Sequence, residues 1–125
     1  MKIEEIESFI RKVPDFPKSG ILFYDISTLI SNKEAFVSSL NRFEKLFTEF
    51  NFDAIAAIDA RGFIFGSALA HKLNLGMMMI RKKNKLPGKK ISFEYDLEYG
   101  KDTLEINISV KNKKFLLIDD LLATG

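Results

Sequence analysis

Three short apolar runs limit what this chain can fold into: Ala54-Ile55-Ala56-Ala57-Ile58, Met77-Met78-Met79-Ile80 and Phe115-Leu116-Leu117-Ile118. A segment of four or five residues with no polar position is what a strand covered on both faces requires. Between the first two, Phe63 to Lys72 predicts a helix rich in small residues (Gly66, Ser67, Ala68, Ala70), which lets it lie close to a sheet. Thr103 to Val110 alternates strictly and predicts a strand with one wet face, while Phe115 to Ile118 reads as a central strand. Strands separated by helices imply an α/β fold with a mostly parallel central sheet flanked by helices. Ligands are then expected beyond the carboxyl ends of the strands.

The rest of the chain adds helices and excludes several function classes. Ile3, Ile6 and Ile10 predict a helix over 3–12, ended by Pro14 and Pro17. Ser31 with Glu34 forms a capping-box signature before Phe36, Leu40, Phe43, Phe47 and Phe50, the spacing of a helix with one aromatic-rich face. His71 is expected on the surface near a helix end, favoured there by the helix dipole, and Met77 to Met79 as fillers of a buried strand. At 125 residues a single domain over 1–125 is expected, burying roughly two thirds of its unfolded surface. With 19 Lys+Arg against 17 Asp+Glu the chain has no basic excess for general nucleic-acid binding. It contains no Cys and one His, which excludes disulfides, thiolate metal sites and a multi-histidine site. The acidic amino terminus lacks a signal-peptide core, and no apolar run approaches the roughly 20 residues of a membrane helix. A soluble, cytoplasmic protein without membrane or nucleic-acid partners is the expectation.

Two segments stand out chemically. Residues 81 to 90 carry Arg81, Lys82, Lys83, Lys85, Lys89 and Lys90 with no acid, around a Pro87-Gly88 turn, and read as a loop between two strands. A solvated hairpin tip would look the same. At the carboxyl end, the apolar run of Phe115 to Ile118 leads into Asp119-Asp120-Leu121-Leu122-Ala123-Thr124-Gly125. Adjacent carboxylates repel, so cations or hydroxyl groups must face them. The Ala123-Thr124-Gly125 turn offers backbone donors to an anion such as phosphate, although an Asp pair could instead cap a following helix.

That final segment resembles the phosphoribosyl-pyrophosphate signature of type I phosphoribosyltransferases. Three further stretches narrow the resemblance to the adenine phosphoribosyltransferase branch: Asp15 to Ile26, Asp59-Ala60-Arg61-Gly62-Phe63-Ile64-Phe65-Gly66, and Arg81 to Gly88 followed by Leu97-Glu98-Tyr99-Gly100 and Leu104-Glu105-Ile106. The resemblance implies transfer of a phosphoribosyl group from phosphoribosyl pyrophosphate to adenine, giving AMP and pyrophosphate, on a type I fold with a flexible catalytic loop. Asp119 and Asp120 would accept hydrogen bonds from the ribose hydroxyls and oppose positive charge developing on the sugar. Ala123, Thr124 and Gly125 would hold the 5-phosphate, and Arg61, Arg81, Lys82 and Lys85 the departing pyrophosphate. Magnesium would be held mainly by substrate oxygens, with no dedicated protein metal ligands.

Adenine would be read by backbone around Leu22 and Tyr24, with Phe23 stacking on the ring; from the residues alone, Ile21 to Tyr24 could equally be a strand packed on a core. Glu98 would handle a proton near the purine N7 beside the catalytic Arg61, its alternative being an exposed hairpin charge. The resemblance also implies a homodimer, with Arg81 or Lys82 reaching the neighbouring subunit. Tyr24 stands where many members carry Arg. The family signature continues through another Gly and a Thr into a helix and further strands, so a chain ending at Gly125 is expected to be a fragment with weak activity alone. Another purine base, or a ligand-sensing regulator of the same fold, are the competing readings.

Overall fold

The computed structural model describes residues 1–97 and 100–122. The chain falls into two compact units, Met1–Phe47 and Thr48–Gly125. Among the described residues no helix is long and apolar enough to cross a membrane.

The first unit runs α1 (Ile3–Glu7), β1 (Arg11–Pro14), β2 (Leu22–Asp25), α2 (Ser27–Ile30) and α3 (Lys33–Leu46). The helix expected over 3–12 stops at Glu7, and Arg11–Pro14 instead pairs antiparallel with β2, Val13 opposite Phe23 and Arg11 opposite Asp25. One short helix is marginal alone, whereas the ladder adds a cross-strand ion pair between Arg11 and Asp25. The cap of α3 is Asn32, whose Oδ1 accepts from the Ala35 N–H at 2.9 Å. Ser31 caps the carboxyl end of α2 instead, its hydroxyl donating to the Thr28 carbonyl at 3.2 Å. The aromatic helix is also shorter than its spacing suggested. It ends at Leu46, and Phe50 lies beyond it, exposed and stacked on Phe52 with ring centroids 6.1 Å apart.

The second unit contains β3 (Ala54–Ile58), α4 (Gly62–Leu73), β4 (Gly76–Lys82), β5 (Ile91–Leu97), β6 (Gly100–Ile106) and β7 (Phe115–Ile118). Strand order among the described residues is β5-β6-β4-β3-β7. The β4-β3-β7 portion is parallel, as the apolar runs predicted, and the β5–β6 hairpin adds two antiparallel ladders, making the sheet mixed. Strand β7 is an edge rather than a central strand here, with Leu117 exposed. The predicted strand over 103–110 is displaced to Gly100–Ile106, and Ile91–Leu97, unassigned from sequence, is its hairpin partner.

Helix α4 covers the parallel strands, burying Phe65 and Leu69 over Ile55 and Ala57. Gly66 makes the close approach possible: a Cβ there would sit 2.5 Å from the Ala57 Cβ. The helix ends where Asn74 turns left-handed (φ 57°) and the Leu75 N–H donates to the Ala70 carbonyl at 2.9 Å. Of the three methionines in β4, Met78 is buried and Met79 is exposed. His71 lies exposed in the last turn of α4. Asp53 ties the starts of β3 and β7 together, its N–H donating to the Lys114 carbonyl at 2.7 Å and its carboxylate accepting from the Lys114 N–H at 2.6 Å.

Candidate active site

The carboxyl ends of the three parallel strands carry the charged residues, where open α/β sheets bind ligands. Strand β3 ends into Asp59, Ala60 and Arg61; β4 ends with Arg81 and Lys82; β7 ends into Asp119 and Asp120. Their meeting follows from register. Ile58 pairs with Ile80 and Ala57 with Ile118, so the residues that follow emerge side by side.

Arg61, at the N-cap of α4, places its Nε 2.9 Å from Oδ2 of Asp120, an ion-pair contact that lacks the direction of a hydrogen bond. The Asp120 side chain is 8% exposed and that of Arg61 38%. The Asp120 N–H donates to Oδ1 of Asp119 at 2.8 Å. Burial pushes the Asp119 carboxyl above the usual 3.8; the Asp120 N–H opposes that rise and the Asp120 side chain reinforces it. Gly62 permits this close approach, since a Cβ would lie 3.1 Å from both Asp119 Oδ1 and the Ile118 carbonyl oxygen. The start of α4 therefore lies against the two acids, where its dipole favours negative charge.

Arg81 is oriented from two sides. Its Nε lies 3.3 Å from Oδ2 of Asp59, and its guanidinium carbon 5.9 Å from the Phe63 ring centroid. The Lys82 N–H reaches the same Asp59 oxygen at 3.4 Å. Lys82 and Lys85 are exposed and share one turn, the Lys85 N–H donating to the Lys82 carbonyl at 3.3 Å. Asp59 was not assigned a role from sequence, although the signal was there: like Asp119 it is the first residue after a buried apolar strand. Glu98, Ala123, Thr124 and Gly125 lie outside the described residues.

In the first unit, Arg11, Val13, Phe16, Phe23 and Asp25 line a cavity of about 650 Å³. Phe16 meets Phe23 edge to face at 5.1 Å between centroids. Strand alternation puts Phe23 and Asp25 on this face, while the side chains of Leu22 and Tyr24 belong to the other and are exposed. A strand packed on a core is thereby ruled out for Leu22 to Tyr24. The Asp25 carboxyl is held down at about 2, chiefly by the Ser27 hydroxyl and N–H, then by Arg11.

Among the described residues no three carboxylate or imidazole groups converge to hold a metal ion. The acids Asp119 and Asp120 offer oxygens to hydroxyls or to a metal shared with a ligand, and the neighbouring cations suit a polyanion. Fold and site thus define an α/β protein whose parallel strand ends set carboxylates against cations, an arrangement suited to a ligand that carries both hydroxyls and negative charge.

Comparison with known proteins agrees. The model of the phosphoribosyl transferase domain matches residues 31–125. An adenine phosphoribosyltransferase of Treponema denticola is 49% identical over 100% of this chain and 67% of its own length. The crystal structure of adenine phosphoribosyltransferase from Thermoanaerobacter pseudethanolicus superposes with a TM-score of 0.94 at 45% identity, covering 99% of this chain and 73% of that one. The Saccharomyces cerevisiae enzyme, solved with adenine and an imino-altritol bisphosphate, gives a TM-score of 0.90 at 35% identity over 98% of this chain and 73% of that one. The chain belongs to the phosphoribosyl transferase family and, within it, to the adenine phosphoribosyltransferases. It spans about two thirds of the Treponema relative's length.

Proposed function

We propose that the chain transfers the phosphoribosyl group of phosphoribosyl pyrophosphate to adenine, releasing pyrophosphate and forming AMP. The observation that carries this is the acid–base cluster at the strand ends, where Asp119 and Asp120 lie against Arg61 at the start of α4. The bond from the sugar C1 to the pyrophosphate oxygen breaks, the lone pair of adenine N9 forms the new bond to C1, and the ring proton, carried on N7, passes to the Glu98 carboxylate. As pyrophosphate departs, positive charge grows on the sugar, and two carboxylates already fixed beside it stabilise that charge without reorganising. Arg61, Arg81, Lys82 and Lys85 engage the pyrophosphate. Magnesium would be held mainly by substrate oxygens and would supply positive charge against that of the departing pyrophosphate. The aromatic pair Phe16–Phe23 offers a stacking edge for the base in the first unit. Glu98 serves as the proton-handling group near N7, and the backbone donors of 123–125 hold the 5-phosphate. A homodimer is the working assembly, with Arg81 or Lys82 reaching the partner's pyrophosphate. A multiply charged co-substrate that does not cross membranes unaided favours a cytoplasmic setting.

The test is an absorbance assay on the protein as its gene encodes it, with phosphoribosyl pyrophosphate, magnesium and each of adenine, hypoxanthine, guanine and xanthine in turn. AMP formation at least about tenfold above the other products is expected, a preference of roughly 1.4 kcal/mol. Turnover of another base but not adenine overturns the base assignment, and no turnover of any base leaves a ligand-sensing regulator.

A further inference from the structure

The mechanism as described leaves one buried carboxylate unused. Glu105, in β6, is 5% exposed although strand alternation marks its position as a wet face. Residues 83–90 fold over it. Its Oε1 accepts from the Asn84 N–H at 2.8 Å and lies 3.8 Å from the Lys90 Nζ; its Oε2 accepts from the Ser92 hydroxyl at 2.6 Å. A single side chain thus ties the first turn of the basic loop, its last residue and the strand that follows. Asn84 adopts a left-handed conformation (φ 65°), and the turn it closes is the one that carries Lys82 and Lys85. The middle of the loop is pinned separately, by burial of Leu86 and by the Asn107 amide donating to the Pro87 carbonyl at 3.3 Å. Hydrogen bonds from Ser92 and Asn84 also hold the Glu105 carboxyl below its usual range, so it stays ionised wherever the loop lysines are charged.

We propose that Glu105 is a positioning residue for the diphosphate end of the reaction: by clamping both ends of the loop 83–90 it fixes the turn from which Lys82 and Lys85 meet the leaving group. This rests on the functional reading above. Buried and multiply bonded, a carboxylate costs much to place in a protein unless all its partners are present. Here its partners are the loop's own backbone and lysine, so loop order and carboxylate ionisation support each other.

The test uses the protein as its gene encodes it, with Glu105→Gln and Ser92→Ala, and Glu94→Gln as a control in the exposed Lys101–Glu94 pair. A Gln side chain keeps the shape but has one acceptor oxygen for two donors. For Glu105→Gln, the KM for phosphoribosyl pyrophosphate and the Kd for inorganic pyrophosphate by calorimetry are expected to rise about tenfold, the consequence of one lost charge-assisted contact, with the KM for adenine unchanged. Ser92→Ala is expected to raise the same two constants about threefold, and Glu94→Gln neither. Amide exchange at Asn84 to Lys90 accelerates in Glu105→Gln. The proposal is overturned if a folded Glu105→Gln binds pyrophosphate as the parent does, or if the adenine KM rises in step. Should Glu105→Gln not fold, an unchanged Ser92→Ala overturns it instead. Pyrophosphate binding requires no base, so a failure of the adenine assignment shows in the parent's turnover while the Glu105 result still stands or falls on calorimetry.

Discussion

Replacing Gly66 by Ala tests whether α4 is seated on the sheet by contact of backbone with side chain. The new Cβ would lie 2.5 Å from the Ala57 Cβ and 3.2 Å from the Met77 Sδ. Carbon atoms in contact sit about 3.5–4 Å apart, so the overlap with Ala57 amounts to an ångström or more. Ala57 is fully buried in β3, between two hydrogen-bonded neighbours, and cannot retreat alone. Overpacking of this kind costs about 1–3 kcal/mol, and the helix propensity gained on removing a glycine returns about 1 kcal/mol. An overlap of an ångström or more belongs to the upper half of that cost, about 2–3 kcal/mol, so a net loss of about 1–2 kcal/mol follows, read as a fall in the urea midpoint at constant slope or in Tm by about 4 °C per kcal/mol. The double variant with Ala57→Gly removes the clashing atom, so the cycle should show a favourable coupling of about 1 kcal/mol. Neutral or increased stability in Gly66→Ala, or a coupling indistinguishable from zero, would refute the seating described above.

Gly62→Ala should be felt in ligand binding as well as in stability. Its Cβ meets Asp119 Oδ1 and the Ile118 carbonyl at 3.1 Å, a few tenths too close, so stability falls by about 1 kcal/mol or less while the KM for phosphoribosyl pyrophosphate rises; steady-state kinetics beside a urea titration separate the two. The Asp25 carboxyl, near 3.8 in the unfolded chain and about 2 when folded, contributes stability that is complete above the first value and lost as the pH falls through the second. The gap in urea midpoint between the parent and Asp25→Asn should therefore close between pH 4 and pH 2, and a constant gap would count against the Ser27–Arg11 clamp. Asp119, raised above its usual 3.8 by burial, takes up its proton at a higher pH than an ordinary aspartate, so affinity for phosphoribosyl pyrophosphate should weaken as pH falls toward that raised value. Parallel pH profiles for the parent and Asp119→Asn would show that its ionisation is not sensed by the ligand.

What the sequence reveals depends on how each element is stabilised. Strand β3 announces itself because burial on both faces leaves an uninterrupted apolar run; β4 and β7 carry equally apolar runs although Met79 and Leu117 are exposed, and α4 is legible because a helix pressed on a sheet needs small residues such as Gly66. Strand β1 is hidden: Arg11 and Lys12 are exposed, and its order comes from a partner strand ten residues away in sequence. Strand β5 alternates Ile91, Phe93, Tyr95 and Leu97 with polar residues, yet is unassigned from sequence; Ile91 and Phe93 are 64% and 70% exposed, so pairing with β6 defines it and burial does not. The displaced boundary of β6 has the same origin, since a strand stops where its partner stops. At the site, the paired acids after β7 were legible as chemistry, whereas Arg61 after β3 entered only through the family resemblance. Glu105 was not, because its burial is imposed by a loop that crosses over it from elsewhere in the sequence.

The two ion pairs at the strand ends bear on how the site can work. Arg61 with Asp120, and Arg81 with Asp59, each join a residue that would meet an anion to a carboxylate set by a neighbouring strand. Such pairing removes side-chain freedom from long cationic groups before a ligand arrives, so less entropy is lost on binding. It also sets a limit, because each carboxylate competes with the diphosphate for the same guanidinium. A polyanion wins that competition only if it brings more charge than one carboxylate or bonds the cation at a second edge. On the proposed function, ribose hydroxyls that bond Asp119 and Asp120 would occupy the Asp120 oxygen that faces Arg61 and weaken its hold. Sugar and diphosphate should then bind cooperatively. Ribose 5-phosphate and inorganic pyrophosphate together are expected to bind more tightly than their separate affinities predict, and that excess should vanish in Asp120→Asn. Independent binding of the two in the parent protein would mean that Arg61 is not exchanged between Asp120 and the leaving group.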